Sequence, residues 1–131
     1  MPRQVELLNH ISQRKETYIE TTDAVPANQA APRTLQSAAV TNGKTGILTS
    51  VFVAARVGMT VEIKKTVGTP TTLMKTYIPF DGGQVEIPFE NVDKNQMDGN
   101  GTTSKFEAVF LNDDLTDASK ASALFQWIEV G

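Results

Sequence analysis

The sequence has no cysteine and a single histidine in 131 residues. The first absence excludes a disulfide scaffold and any thiolate-held metal. The second leaves zinc without the several nitrogen or sulfur ligands it needs, and leaves a Ser-His-Asp triad resting on His10 alone. No apolar run approaches the ~20 residues that span a bilayer, and the charged N-terminus lacks the apolar core of a signal peptide. Neither a membrane nor a leader is expected. Basic charge is also short: 12 Lys and Arg stand against 15 Asp and Glu, for a net charge of -3. Phosphate neutralisation needs clustered cations, so nucleic acid is not an expected partner. GxGxxG, P-loop and GxSxG patterns are all missing. These absences point away from an enzyme and imply no cofactor, no catalytic residue and no obligatory metal.

What remains is ample for one folded body. The area scaling laws allow a chain of this size to bury about two-thirds of its surface. Aromatic residues place that core: all six Phe, Trp127 and Tyr77 lie after residue 40, and only Tyr18 lies before it. The expected division is therefore an N-terminal segment, 1–39, and a body, 40–131. The segment is electrically neutral, and the body carries the whole acidic excess.

Residues 2–19 fit an amphipathic helix. On a helical wheel Val5, Leu7, Leu8, Ile11, Tyr18 and Ile19 fall within roughly 160°, interrupted by Ser12 and Lys15, and Pro2 suits the first turn. His10 falls on the polar side. Residues 21–39, TTDAVPANQAAPRTLQSAA, hold two prolines and mostly alanine among their apolar residues. Such a stretch buries too little to offset the entropy of ordering it, so an extended arm is expected, lying against its own body, a neighbouring copy or another protein. The residues expected to contact a partner are Val5, Leu7, Leu8, Ile11, Tyr18, Ile19, Val25 and Leu35.

The body reads as short strands between turns. After Asn42-Gly43 comes Gly46–Ala55, with Ile47, Thr49, Val51 and Val53 expected on one face and Leu48, Ser50 and Phe52 on the other. Met59, Val61 and Ile63 alternate with Thr60, Glu62 and Lys64. Leu73–Phe80 is a third strand, closed by Asp81-Gly82-Gly83. Val85, Ile87 and Phe89 mark a fourth, which Pro88 should confine to an edge or an irregularity. Residues 91–104 read as a long polar loop. Phe106–Leu111 and Ala121–Val130 complete the set, separated by a turn or short helix from Asn112 to Lys120. The fold class expected is all-β: an antiparallel sandwich or open barrel with an N-terminal helix and extended arm. Val51, Val53, Val61, Ile63, Ile87, Phe106 and Phe110 should meet in one core.

Two acidic clusters invite a chemical reading. Asp93–Gly99 resembles the start of a calcium loop, but Met97 and Ser104 occupy the fifth and twelfth positions, where oxygen ligands are required. A hydrated loop tip fits better. Asp113, Asp114 and Asp117 sit together with Thr and Ser, the composition of a helix cap, and not as two carboxyls held apart across a cleft.

The stretch VTNGKTGILTSVFVAARVGMTVEIKKTVGTPTTLMKTYIPFDGGQVEIPFENV resembles the small β-sandwich proteins of tailed bacteriophage virions. There a Gly-Lys turn leads into an alternating strand, a break, a TVxI-like strand, a second hairpin and an "IPF" edge. The resemblance covers about residues 40–111, and Arg56-Val57-Gly58 departs from the small polar turn usual at that point. It implies a non-enzymatic structural role in a virion assembled in the host cytoplasm: a capsid decoration (cement) protein, or a neck or tail component. The partners implied are the major capsid protein or other virion proteins, bound through the N-terminal arm and the β body, with the chain a homo-oligomer or in many copies on a lattice. The competing expectation is a carbohydrate- or receptor-binding sandwich using Trp127, Tyr77 or the 91–104 loop, with Trp127 better suited to the core.

Overall fold

Alternation of apolar and polar residues carries directly into backbone structure. The computed structural model describes residues 12–90 and 94–131, and these form nine strands and no helix. They are β1 (Ser12–Glu20), β2 (Arg33–Gln36), β3 (Thr45–Ala55), β4 (Met59–Val67), β5 (Thr69–Ile78), β6 (Gly83–Pro88), β7 (Gln96–Asp98), β8 (Ser104–Asn112) and β9 (Ala121–Val130).

Every pairing among them is antiparallel. One sheet runs β1-β9-β3-β6, with β7 beside the start of β3, and the other runs β2-β8-β4-β5. With the three-residue β7 set aside, the order is nested. The first strand pairs with the last, β2 with β8, β3 with β6, and β4 with β5. A single long hairpin of four strand pairs has been rolled up so that β9 meets β3 and β8 meets β4. This is the eight-stranded jelly roll, whose two sheets pack face to face.

The seven residues expected in the core are all buried, joined by Leu48, Met59, Phe125 and Trp127. On β9, Ala121, Ala123, Phe125, Trp127 and Glu129 face inward in strict alternation. The Phe106 and Trp127 rings meet at 5.9 Å with a 55° tilt. As its proline requires, β6 lies at a sheet edge.

Three expectations are corrected. The helix over 2–19 is not present in its described part: Ser12–Glu20 is a strand, paired residue by residue with β9 from Ser12↔Val130 to Glu20↔Ser122. Its residues also alternate, with Thr17 and Ile19 turned inward and Glu16, Tyr18 and Glu20 outward. The edge of β9 offers this segment both a backbone ladder and, through Ile19, packing on the core. Residues 1–11 lie outside the described part, and with them Val5, Leu7, Leu8, Ile11 and His10.

The face assignment on β3 changes halfway along. Leu48 pairs with Trp127 and Ser50 with Gln126, so Thr49 is an extra residue. This bulge places Leu48 and Val51 on the same inner face and turns Ile47 outward. The 91–104 stretch is not a plain loop, because β7 pairs with Thr45–Ile47 and buries Met97, while the Asn95 side-chain amide donates to the Leu48 carbonyl. Asn112–Lys120 is a turn, the first of the two forms expected, so Asp113, Asp114 and Asp117 cap no helix there.

Residues 21–40 follow their own body. Backbone amides of Thr21, Val25, Asn28, Gln29, Ser37 and Val40 donate to carbonyls of Ala121, Ser119, Asp114, Asn112, Phe106 and Ser104. Asn28 and Gln29 take φ of 58° and 53° to make that path. Of the three resting places expected for this segment, the chain's own body is the one observed.

Candidate functional site

The inner faces of both sheets are consumed by the core, so function falls to the outer faces, and these differ. On β2-β8-β4-β5 most cross-strand rows are polar, apart from that of Leu111, Thr60 and the exposed Tyr77. Thr34, Val109, Glu62 and Lys75 form one row, and Gln36, Glu107, Lys64 and Thr72 the next. Lys64 and Glu62 form an ion pair at 3.6 Å, and the Gln36 amide donates to Glu107 at 2.8 Å.

On β1-β9-β3-β6 the register builds an apolar row instead. Tyr18 pairs with Leu124, Leu124 with Phe52, and Phe52 with Glu86. Tyr18 is 65% exposed, and Leu124 and Phe52 are half-buried. One row along lie Glu20, Ser122, Ala54 and Gln84, and on the other side Glu16, Gln126, Ser50 and Pro88. Two further apolar residues, Ile47 and Ile128, pair beyond those. The face dips into a depression of about 270 Å³ lined by Tyr18, Phe52, Ala54, Gln84, Ser122 and Leu124. It continues through Ala54 and Gln84 into a wider trough of about 720 Å³, whose lining also includes Glu20, Arg56, Ser119 and Lys120.

The acidic clusters that invited a chemical reading are occupied with structure. Asp114 accepts backbone N–H bonds from Thr116 at 2.9 Å and Asp117 at 2.8 Å. The Asp117 bond, then that of Thr116, holds its carboxyl below the usual range despite a smaller opposing effect of desolvation. Asp113 accepts from Gln29 at 2.6 Å and Thr60 at 2.8 Å, tying the 26–32 turn to β4. Asn100 closes its own loop by accepting from the amides of Thr102, Thr103 and Ser104. Among the described residues no three of the His, Asp and Glu side chains gather as a metal site.

Glu129, 3% exposed, is more deeply buried than Glu107. Burial pushes its pKa up, but the hydrogen bonds from Thr41 and the Trp127 indole, with Lys15 nearby, outweigh it and leave the carboxyl below its ordinary value. Trp127 Nε1 donates to it at 3.1 Å and Thr41 N at 3.2 Å, so the pair pins the 40–44 turn to the end of β9.

Of the described residues expected to touch a partner, Tyr18 projects from the outer face, Ile19 packs against the core, and Val25 and Leu35 are inside it. Trp127 is core, as its alternation suggests, and offers no sugar platform, whereas Tyr77 is 61% exposed. Phe52 and Leu124 were not singled out beforehand. Each is an ordinary apolar strand residue, and only the register shows that they stand beside Tyr18.

No protein-family model and no curated protein matches this chain. Among solved structures it is similar to a chain from the virus-like particle of the giant freshwater prawn Macrobrachium rosenbergii extra small virus. The two are 13% identical, with 88% of this chain and 79% of that chain covered and a TM-score of 0.44. So loose a superposition carries no argument, and the class follows from the strand pairing alone: this is a jelly-roll domain with a packed interior and one apolar outer face.

Proposed function

We propose that the chain is a virion structural protein, present in many copies, that decorates a capsid lattice. The nested pairing of β1 with β9, β2 with β8, β3 with β6 and β4 with β5 carries this reading, because that architecture is a recurrent building unit of viral shells. Jelly rolls also serve as lectins and cupins, so the site must choose among them. The space between the sheets is filled by Phe106, Phe110, Phe125 and Trp127, which suits a structural unit and not a ligand-holding barrel. Charge favours decoration over wrapping a genome. A shell in contact with nucleic acid needs clustered cations, and this chain has a neutral first 39 residues and an acidic remainder. Its partner is then the major capsid protein or another virion protein.

The test is fractionation. Particles purified on a density gradient from material expressing the chain should contain it in high copy number, and purified chain should rebind particles from which it was stripped. Recovery only in the particle-free fraction would overturn the reading. Specific retention on a glycan array, with no particle binding, would replace it by the sugar-binding alternative.

A further inference from the structure

The outer face of β1-β9-β3-β6 combines an apolar row with carboxylates that form no ion pair among the described residues. Tyr18, Leu124 and Phe52 stand side by side across three strands, spaced ~5 Å apart by the ladder. Glu86 ends that row, and Glu16 and Glu20 lie one row to either side of Tyr18, ~7 Å along the strand. All three glutamates are exposed. The one ion pair among the described residues is that of Lys64 with Glu62, on the opposite sheet. Glu16 receives only a long bond of 3.4 Å from the Gln126 amide. Arg14 lies a further row away, and Arg56 and Lys120 lie beyond Glu20 in the wider trough, outside the frame.

We propose that this face docks onto a protein surface that presents an apolar ridge flanked by Lys or Arg. The apolar row supplies the area that gains from burial, and the carboxylate frame sets the sign of the partner. A second copy using the same face is disfavoured, since a two-fold contact would bring glutamate frames together. Nucleic acid and anionic lipid are repelled for the same reason. On the opposite face Glu62 is paired with Lys64 and Glu107 accepts from Gln36, so its carboxylates lack this demand. The proposal deepens the virion reading by naming the docking face, and it rests on that reading only for where the partner resides.

The experiment needs no virion, so its failure is separable from failure of the proposed function. A displayed library of random twelve-residue peptides is panned on the immobilised full chain, and enriched peptides are resynthesised for fluorescence anisotropy. Enrichment of aromatic or aliphatic residues flanked by Lys or Arg is expected. The E16K/E20K/E86K variant should bind those peptides about tenfold or more weakly and should select Asp- or Glu-flanked peptides instead. Leu124→Ser should lose both sets; should it fail to fold by circular dichroism, Tyr18→Ser on the edge strand reports the same contact. Enrichment blind to charge, binding unchanged by the triple reversal, or no enrichment at all would overturn the proposal. Concentration-dependent dimerisation abolished by Leu124→Ser would also overturn it, by making a second copy the occupant.

Discussion

Individual side chains divide sharply between those the fold depends on and those it leaves free. Phe110 is fully buried on β8, and Phe110→Ala should lower stability by about 3–5 kcal/mol, read from denaturant titration. An unchanged midpoint would remove it from the core. Tyr18→Ala, at an exposed position, should stay within about 0.5 kcal/mol, which separates its role on the outer face from any role in folding. Glu129 makes a prediction in pH. Its folded pKa is depressed below the ordinary carboxylate value, so the stability it confers is complete above that value. That contribution is lost as pH falls through the depressed one. Glu129→Gln should therefore cost about 1–2 kcal/mol at neutral pH, and the gap to the parent chain should close on acidification. Thermal melts from pH 7 down to pH 3 measure it, and a gap that widens at low pH would contradict the geometry around Thr41 and Trp127.

Between residues and the whole, the strands show how one irregularity redirects a face. At Thr49 the bulge holds Leu48 and Val51 inside together, and Thr49 itself is fastened by its hydroxyl to the Gln126 carbonyl at 2.9 Å. Removing Thr49 leaves Leu48, Ser50 and Val51 in regular alternation, so the β3–β9 register survives. Removing Phe52 instead turns Leu48 or Val53 the wrong way. Deletion of Thr49 should cost about 1–3 kcal/mol, whereas deletion of Phe52 should abolish cooperative unfolding. Equal costs would mean that the bulge is not what sets the phase. At the chain's start, β1 covers one edge of β9 along its full length. A Thr17→Pro substitution at the centre of β1, opposite Phe125, should speed hydrogen exchange on β9 amides above that of β8.

At the scale of the molecule, the rolled hairpin makes nearly every pairing remote in sequence. Ser12 pairs with Val130, and Arg33 with Phe110. Loop closure must precede the reward from such contacts, so folding should be slow for the chain's size, in milliseconds to seconds. Stopped-flow refolding followed by Trp127 fluorescence measures this, and a microsecond phase carrying the whole amplitude would be incompatible with the nested topology. The same topology brings Tyr18, Leu124 and Phe52 into one row. Their spacing in sequence carries no hint of that neighbourhood.

Local pattern determined the body. Period-two alternation and the turn residues between runs placed β4, β8 and β9, and they identified the seven core residues, because burial of one strand face is a property each strand announces by itself. The missing thiols likewise excluded disulfides and thiolate ligands. Tertiary structure decided the rest, through interactions that a local window does not contain. Residues 12–19 carry only two apolar side chains, Tyr18 and Ile19, too few to tell helix from strand, and pairing with the edge of β9 made them a strand. Val25 and Leu35, too few to order a segment alone, became core because β8 and the 112–120 turn supply the backbone partners and the cavity wall. The phase of β3 turned on one unpaired residue, and the docking face exists only where three distant strands lie in register.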